Sequence, residues 1–136
     1  MRICYIVAMV AEAQPFIERY GIRKVEEFFA PLPCELYEGE VNNVTLNVVL
    51  NGQQQGSDLV GCEAAAVATL SAIQRLHPDI VVNSGTCGAF REKGADIAEV
   101  YIGNGVMFHD RRVPGDDAWG TQSLGNYPVW EGSPAL

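Results

Sequence analysis

Basic charge is scarce in this chain: nine Lys and Arg stand against 17 Asp and Glu, a formal net charge of −8. That balance excludes a phosphate-backbone binder, whose affinity rests on clustered Lys and Arg, and it disfavours an anionic membrane surface. A small ligand held by local backbone amides stays open. Metal-binding spacing is also missing. The four cysteines (Cys4, Cys34, Cys62, Cys87) lie far apart with no CxxC pair, and there are only two histidines, so a structural zinc site is not expected. No apolar run is long enough to span a bilayer. The opening stretch from Met1 to Val10 could pass for a short secretory core, but it has no basic leader and Glu12 follows at once. We read it as a first strand, and we read the dispersed cysteines as reduced thiols of a cytoplasmic protein. Neither a Walker loop nor GxGxxG occurs.

What is present suits one packed domain. Hydrophobic residues make up 48% of the chain and charged residues 19%, enough for a core and too apolar for disorder. Residues 2–8 predict a strand buried on both faces, and residues 12–20 a helix stopped by Gly21. Residues 36–40 and 44–50 predict two strands joined by an Asn42-Asn43 turn. A polar loop over 53–57 then leads into an alanine-rich helix over 58–76 with Leu59, Val67, Leu70 and Ile73 as its apolar face. A second short buried strand is expected over 79–83, a turn over 94–96 and an apolar strand over 98–108. Beyond Val113 the texture changes to a Gly/Pro-punctuated stretch, with residues 115–136 expected to be flexible. Alternating strands and helices give an α/β class with a mixed central sheet. The unperiodic tail leads us to expect a chain cut short of its closing elements.

Three clusters could carry chemistry. Glu12, in Ala8-Met9-Val10-Ala11-Glu12, sits where a strand gives way to a helix, the edge at which open α/β sheets bind ligands; a helix N-terminus would also accept a carboxylate for its dipole alone. Asn83-Ser84-Gly85-Thr86-Cys87-Gly88 follows another strand, and its glycines allow either close backbone approach to a ligand or simply a tight turn. Cys87 has no evident base and reads as an inert thiol. Phe108-His109-Asp110-Arg111-Arg112-Val113-Pro114 could offer an oriented histidine, or a structural one among solvated arginines.

Together with Gly56-x-Asp58-x-Val60-Gly61 and the continuation to Phe90-x-x-Lys93-Gly94-Ala95, these clusters follow one another as they do in 5′-methylthioadenosine/S-adenosylhomocysteine nucleosidases. The chain resembles that family from residue 2 to about 114, and its plant type in particular. The resemblance implies a twisted mixed sheet flanked by helices, of which residues 1–136 are the N-terminal part. It implies a homodimer, a nucleoside substrate, no metal and no organic cofactor. By position it implies Glu12 on the water that attacks the ribose, Met9 beside the ribose and Thr86 near that water. The Cys87-Gly88 backbone would run along adenine, and Val113 would reach the partner's 5′-substituent pocket. The family's ribose-binding glutamate and adenine-protonating aspartate find no match here, which leads us to expect an isolated chain to be inactive and poorly stable. Two rivals remain: a phosphorylase of the same fold, against which Asn83 and Glu12 argue, and a binding or storage relative without activity.

Overall fold

The computed structural model describes residues 1–108. Within residues 1–88 a five-stranded sheet carries the architecture, in the order β2-β3-β4-β1-β7. β1 (Arg2–Val7) lies between β4 (Val44–Leu50) and β7 (Ile80–Asn83) and runs parallel to both. β3 (Glu35–Val41) is antiparallel to β4 and to the short β2 (Arg23–Val25). The turn between β3 and β4 is the expected one: Asn42 and Asn43 both hold positive φ, at 51° and 62°, as a two-residue hairpin of right-handed twist requires. The mixed, helix-flanked sheet is therefore as the sequence implied.

Two packed layers follow from the alternation of side chains along the strands. On one face Cys4, Ile6, Leu36 and Val49 pack with Ala68, Ala72 and Leu76 of α2 (Cys62–Leu76), and with Phe29. On the other, Val7, Val48 and Leu50 pack with Ala13 of α1 (Val10–Tyr20) and with Ile22. The thiol of Cys4 is fully buried, and that burial pushes its pKa up to about 11, so it stays a neutral core group. Helix α1 ends as expected at Gly21, whose φ of 60° is free to glycine. The amides of Gly21 and Ile22 donate to the carbonyls of Glu18 and Ile17, a Schellman closure.

Several expectations need correction. Helix α1 starts at Val10 rather than near Glu12, because Met9 is the extended capping residue. The stretch 53–57 is not a plain loop: β5 (Gln53–Gln54) and β6 (Ser57–Asp58) pair as a small hairpin. That pairing takes Asp58 out of α2, which begins only after Gly61, at a φ of 121°. The face of α2 on the sheet is also not the one anticipated. Ala68, Ala72 and Leu76 are buried while Val67, Leu70 and Ile73 are 44%, 57% and 46% exposed. Small residues let a helix approach a sheet closely, and the larger aliphatic stripe lies about 160° round the helix from them, on nearly the opposite side. β7, expected to be buried, alternates between half-buried and exposed residues because it pairs on one side alone among the described residues. Residues 98–108 join no strand ladder: an apolar run becomes a strand only with a partner.

The described residues from Ala89 to Phe108 belong to a unit separate from residues 1–88. Its described part has a single 3-10 turn (Arg91–Lys93), just ahead of the turn expected over 94–96 and closed by Gly94 at a φ of 91°, and an Arg91–Asp96 ion pair at 3.2 Å. Residues 115–136, anticipated as flexible, lie outside the described residues.

Candidate active site at the carboxyl ends of the strands

Because β1, β4 and β7 are parallel, their carboxyl ends share one edge of the sheet, where ligands of open α/β folds bind. Three connections leave that edge. β1 passes through Met9 into α1; β4 passes into buried Asn51 and Gly52; β7 passes into Ser84, whose amide is tied to the Ile6 carbonyl at 3.0 Å.

Glu12 is where the connections after β1 and β7 meet. It is the third residue of α1, and its Oε2 accepts the Met9 amide at 3.3 Å. That is the capping role a first-turn carboxylate would fill in any helix. Its Oε1 does something else. It accepts both the amide and the hydroxyl of Thr86, at 2.7 and 2.6 Å, from 74 residues away. Gly85 makes this approach possible: a Cβ there would stand 3.2 and 3.3 Å from the two carboxylate oxygens. Neither Gly85 nor Gly88 needs positive φ, so at Gly85 the requirement is closeness and not turn geometry. Desolvation by burial pushes the Glu12 carboxyl up, but the Thr86 hydroxyl, the Thr86 amide and the Met9 amide outweigh it and hold the group below the usual glutamate value. Glu12 is therefore ionised at neutral pH, with a short, directional hydrogen-bond network fixing its orientation.

The sequence-predicted residues separate cleanly. Glu12, Met9 and Thr86 come together by direct hydrogen bonds. Cys87 and Gly88 continue the same loop and are exposed, with open space around a Gly88 Cβ. Val113 and the His109-Asp110 pair lie outside the described residues. Among the described residues no three His, Cys, Asp or Glu side chains gather as a metal site. Sequence reasoning passed over Asn51, which is 2% exposed and donates its Nδ2 to the Leu59 carbonyl at 2.9 Å. It also left Asp58 inside a helix. A polar residue at the end of an apolar strand was the available signal for the first, and Gln-Gln-Gln-Gly-Ser, as a turn between short strands, for the second.

Thr86→Val removes the hydroxyl donor and keeps the amide. The Glu12 carboxyl is then expected to titrate at higher pH, closer to the ordinary value, since one of the interactions favouring its ionised form is gone. The pH dependence of the Glu12 Cδ resonance reads this directly; an unmoved midpoint would mean the hydroxyl contributes nothing.

The phosphorylase superfamily model matches residues 2–135. The chain belongs to the phosphorylase superfamily. Among its superfamily relatives, the 5′-methylthioadenosine nucleosidase of Arabidopsis thaliana is 40% identical over 116 residues, 82% of this chain and 43% of the relative. The 5′-methylthioadenosine/S-adenosylhomocysteine nucleosidase of the same plant is 41% identical over 118 residues, 82% of this chain and 46% of the relative. The apo structure of the Arabidopsis thaliana 5′-methylthioadenosine nucleosidase superimposes with a TM-score of 0.83 at 36% identity, covering 90% of this chain and 52% of that one. The chain thus spans about half the length of the superfamily relatives it matches. No helix among the described residues is long and apolar enough to cross a membrane.

Proposed function

We propose that the protein carrying this chain hydrolyses the N-glycosidic bond of 5′-methylthioadenosine, and of S-adenosylhomocysteine as a second substrate, releasing adenine. The observation that carries this reading is the ionised Glu12 carboxylate, held by Thr86 at the carboxyl edge of the parallel strands. Cleavage breaks the C1′–N9 bond, sends its electron pair to the purine and leaves positive charge on the sugar. A carboxylate there stabilises that charge and takes a proton from the water that attacks C1′. The departing base needs its own proton, from an acid on the far side of the sugar. Met9 lies beside the ribose in this scheme, Thr86 orients the carboxylate, and the exposed Cys87-Gly88 backbone runs along the adenine. The names of the two Arabidopsis relatives support the substrate class. A negatively charged Glu12 at the attacking position disfavours phosphate as the nucleophile, which sets hydrolysis above phosphorolysis.

The test is adenine release from 5′-methylthioadenosine with and without inorganic phosphate. Phosphate-independent release of adenine and methylthioribose is expected. A strict phosphate requirement would assign the protein as a phosphorylase, and absence of release as an inactive relative.

A cytoplasmic homodimer completes the proposal, with Val113 at the subunit boundary beside the neighbour's 5′-substituent pocket. Val113→Asp would place an unpaired charge in that boundary, at a cost of several kcal/mol per desolvated ion. Sedimentation of the full-length variant should show monomers at concentrations where the parent is dimeric. A variant that remains dimeric and binds substrate normally removes Val113 from the interface.

A further inference from the structure

Helix α2 carries two apolar faces, and the sheet covers only one of them. Val67, Leu70 and Ile73 are 44%, 57% and 46% exposed, on nearly the opposite side of the helix from the alanines that pack on the sheet. Their order is symmetric about Leu70. An aliphatic residue stands three positions to either side, Val67 and Ile73. Seven positions away an acid at one end of the helix, Glu63, answers a base at the other, His77, and both are exposed. Among the described residues the side chains of Glu63 and His77 take part in no hydrogen bond or ion pair. The one cation within the helix, Arg75, is drawn off the stripe: it donates to the Phe28 carbonyl and lies over the Phe29 ring.

We propose that this stripe is a self-association face, on which α2 of a second copy of the chain lies antiparallel about a two-fold axis at Leu70. Leu70 then meets the partner's Leu70, Val67 meets the partner's Ile73, and Glu63 meets the partner's His77, each of the last two contacts occurring twice. A two-fold contact requires one patch to complement itself, and an aliphatic centre with an acid at one end and a base at the other does so. A different protein docking here would have no use for that symmetry. The formal net charge of −8 makes two copies repel at a distance, so they approach most readily through a face holding a single acid with a base to receive it. A stable dimer needs about 800 Å² from each partner. The 15-residue helix is only about 22 Å long, so the stripe is the apolar centre of a contact whose polar rim comes from the residues beside it. The proposal locates a surface for the homodimer and rests on that reading.

Sedimentation equilibrium of the full-length protein and its variants tests this. Leu70→Glu sets two carboxylates against each other at the axis, and the dimer dissociation constant should rise about a hundredfold or more. Leu70 is exposed, so the variant should keep the fold, which circular dichroism checks. The ends of the stripe give a test that loss of folding cannot imitate. His77→Asp opposes two acids at both ends and should weaken the dimer about tenfold, through two exposed charge contacts. Asp suits the positive φ of 48° at that position, as His does. Glu63→Lys should also weaken the dimer. Glu63→Lys combined with His77→Asp reverses the pair and should return the dissociation constant to within about threefold of the parent. A parent dimer that Leu70→Glu leaves intact overturns the proposal while the homodimer reading stands. A combined variant no tighter than His77→Asp alone overturns the antiparallel register, and the proposal with it. A parent that stays monomeric at every concentration overturns both.

Discussion

Glu12→Gln is expected to lower the turnover of the full-length protein by about a hundredfold or more, the range over which a positioned acid–base group contributes. The amide preserves size and shape but cannot accept a proton near neutral pH or neutralise a cationic sugar. It also disturbs the local bonding. In the native site one oxygen accepts two bonds from Thr86 and the other accepts the Met9 amide. A carboxamide has a single oxygen, so keeping that oxygen on Thr86 turns its NH2 towards the Met9 N–H, a donor facing a donor. The fold should tolerate this, because Glu12 is only half-buried and the Met9 contact is long. Steady-state adenine release checks the expectation; turnover close to that of the parent would remove Glu12 from the chemistry.

The largest expected effect on stability belongs to Gly52, the residue at which the chain leaves β4. Its φ is +95°, and a Cβ placed there would lie 2.0 Å from the Pro33 carbonyl oxygen and 2.5 Å from the Pro33 carbonyl carbon. Both obstacles are backbone atoms, so no rotamer change relieves them. Gly52→Ala combines about 1–3 kcal/mol of backbone strain with about 1–3 kcal/mol of overpacking. The combined loss, about 2–6 kcal/mol, is a large part of the total stability of an ordinary domain. Gly56→Ala separates the two contributions, since its φ is +79° but no atom lies within 4 Å of the added carbon; it should lose only the strain. Thermal denaturation of the two variants against the parent measures both. Equal midpoints for Gly52→Ala and Gly56→Ala would mean that the Pro33 contact yields without resistance.

Legibility in the sequence followed the reach of the interactions. Strand β4 was readable to the residue, and the Asn42-Asn43 turn and the Gly21 stop were readable because each depends on a few adjacent residues. Glu12 was legible as a position, a carboxylate just past a buried strand, but its partner was not. Nothing in the spacing of residues 12 and 86 states that Thr86 will reach it; that follows from β1 and β7 being neighbours in one sheet, with Ile6 opposite Asn83. The helix over 58–76 was misread at its start because alanine and leucine favour a helix wherever they occur, whereas Asp58 was taken by a hairpin partner. Its packed face was misread for a related reason: bulk marks a side chain as apolar, but fit against a sheet favoured Ala68 and Ala72 over Leu70. Residues 98–108 had the composition of a strand without a ladder to join.

The placement of β1 between β4 and β7 bears on the order in which the molecule assembles. Both of its ladders are parallel pairings of segments distant in sequence, and such contacts form only after the entropy of closing long loops has been overcome. Helix α1 and the β3–β4 hairpin can take shape from local contacts. The bonds from Thr86 to Glu12 cannot, since they require β7 to have docked on β1. The acidity of Glu12 is thus acquired late, so the proton affinity of one side chain distinguishes the finished sheet from its partly assembled precursors.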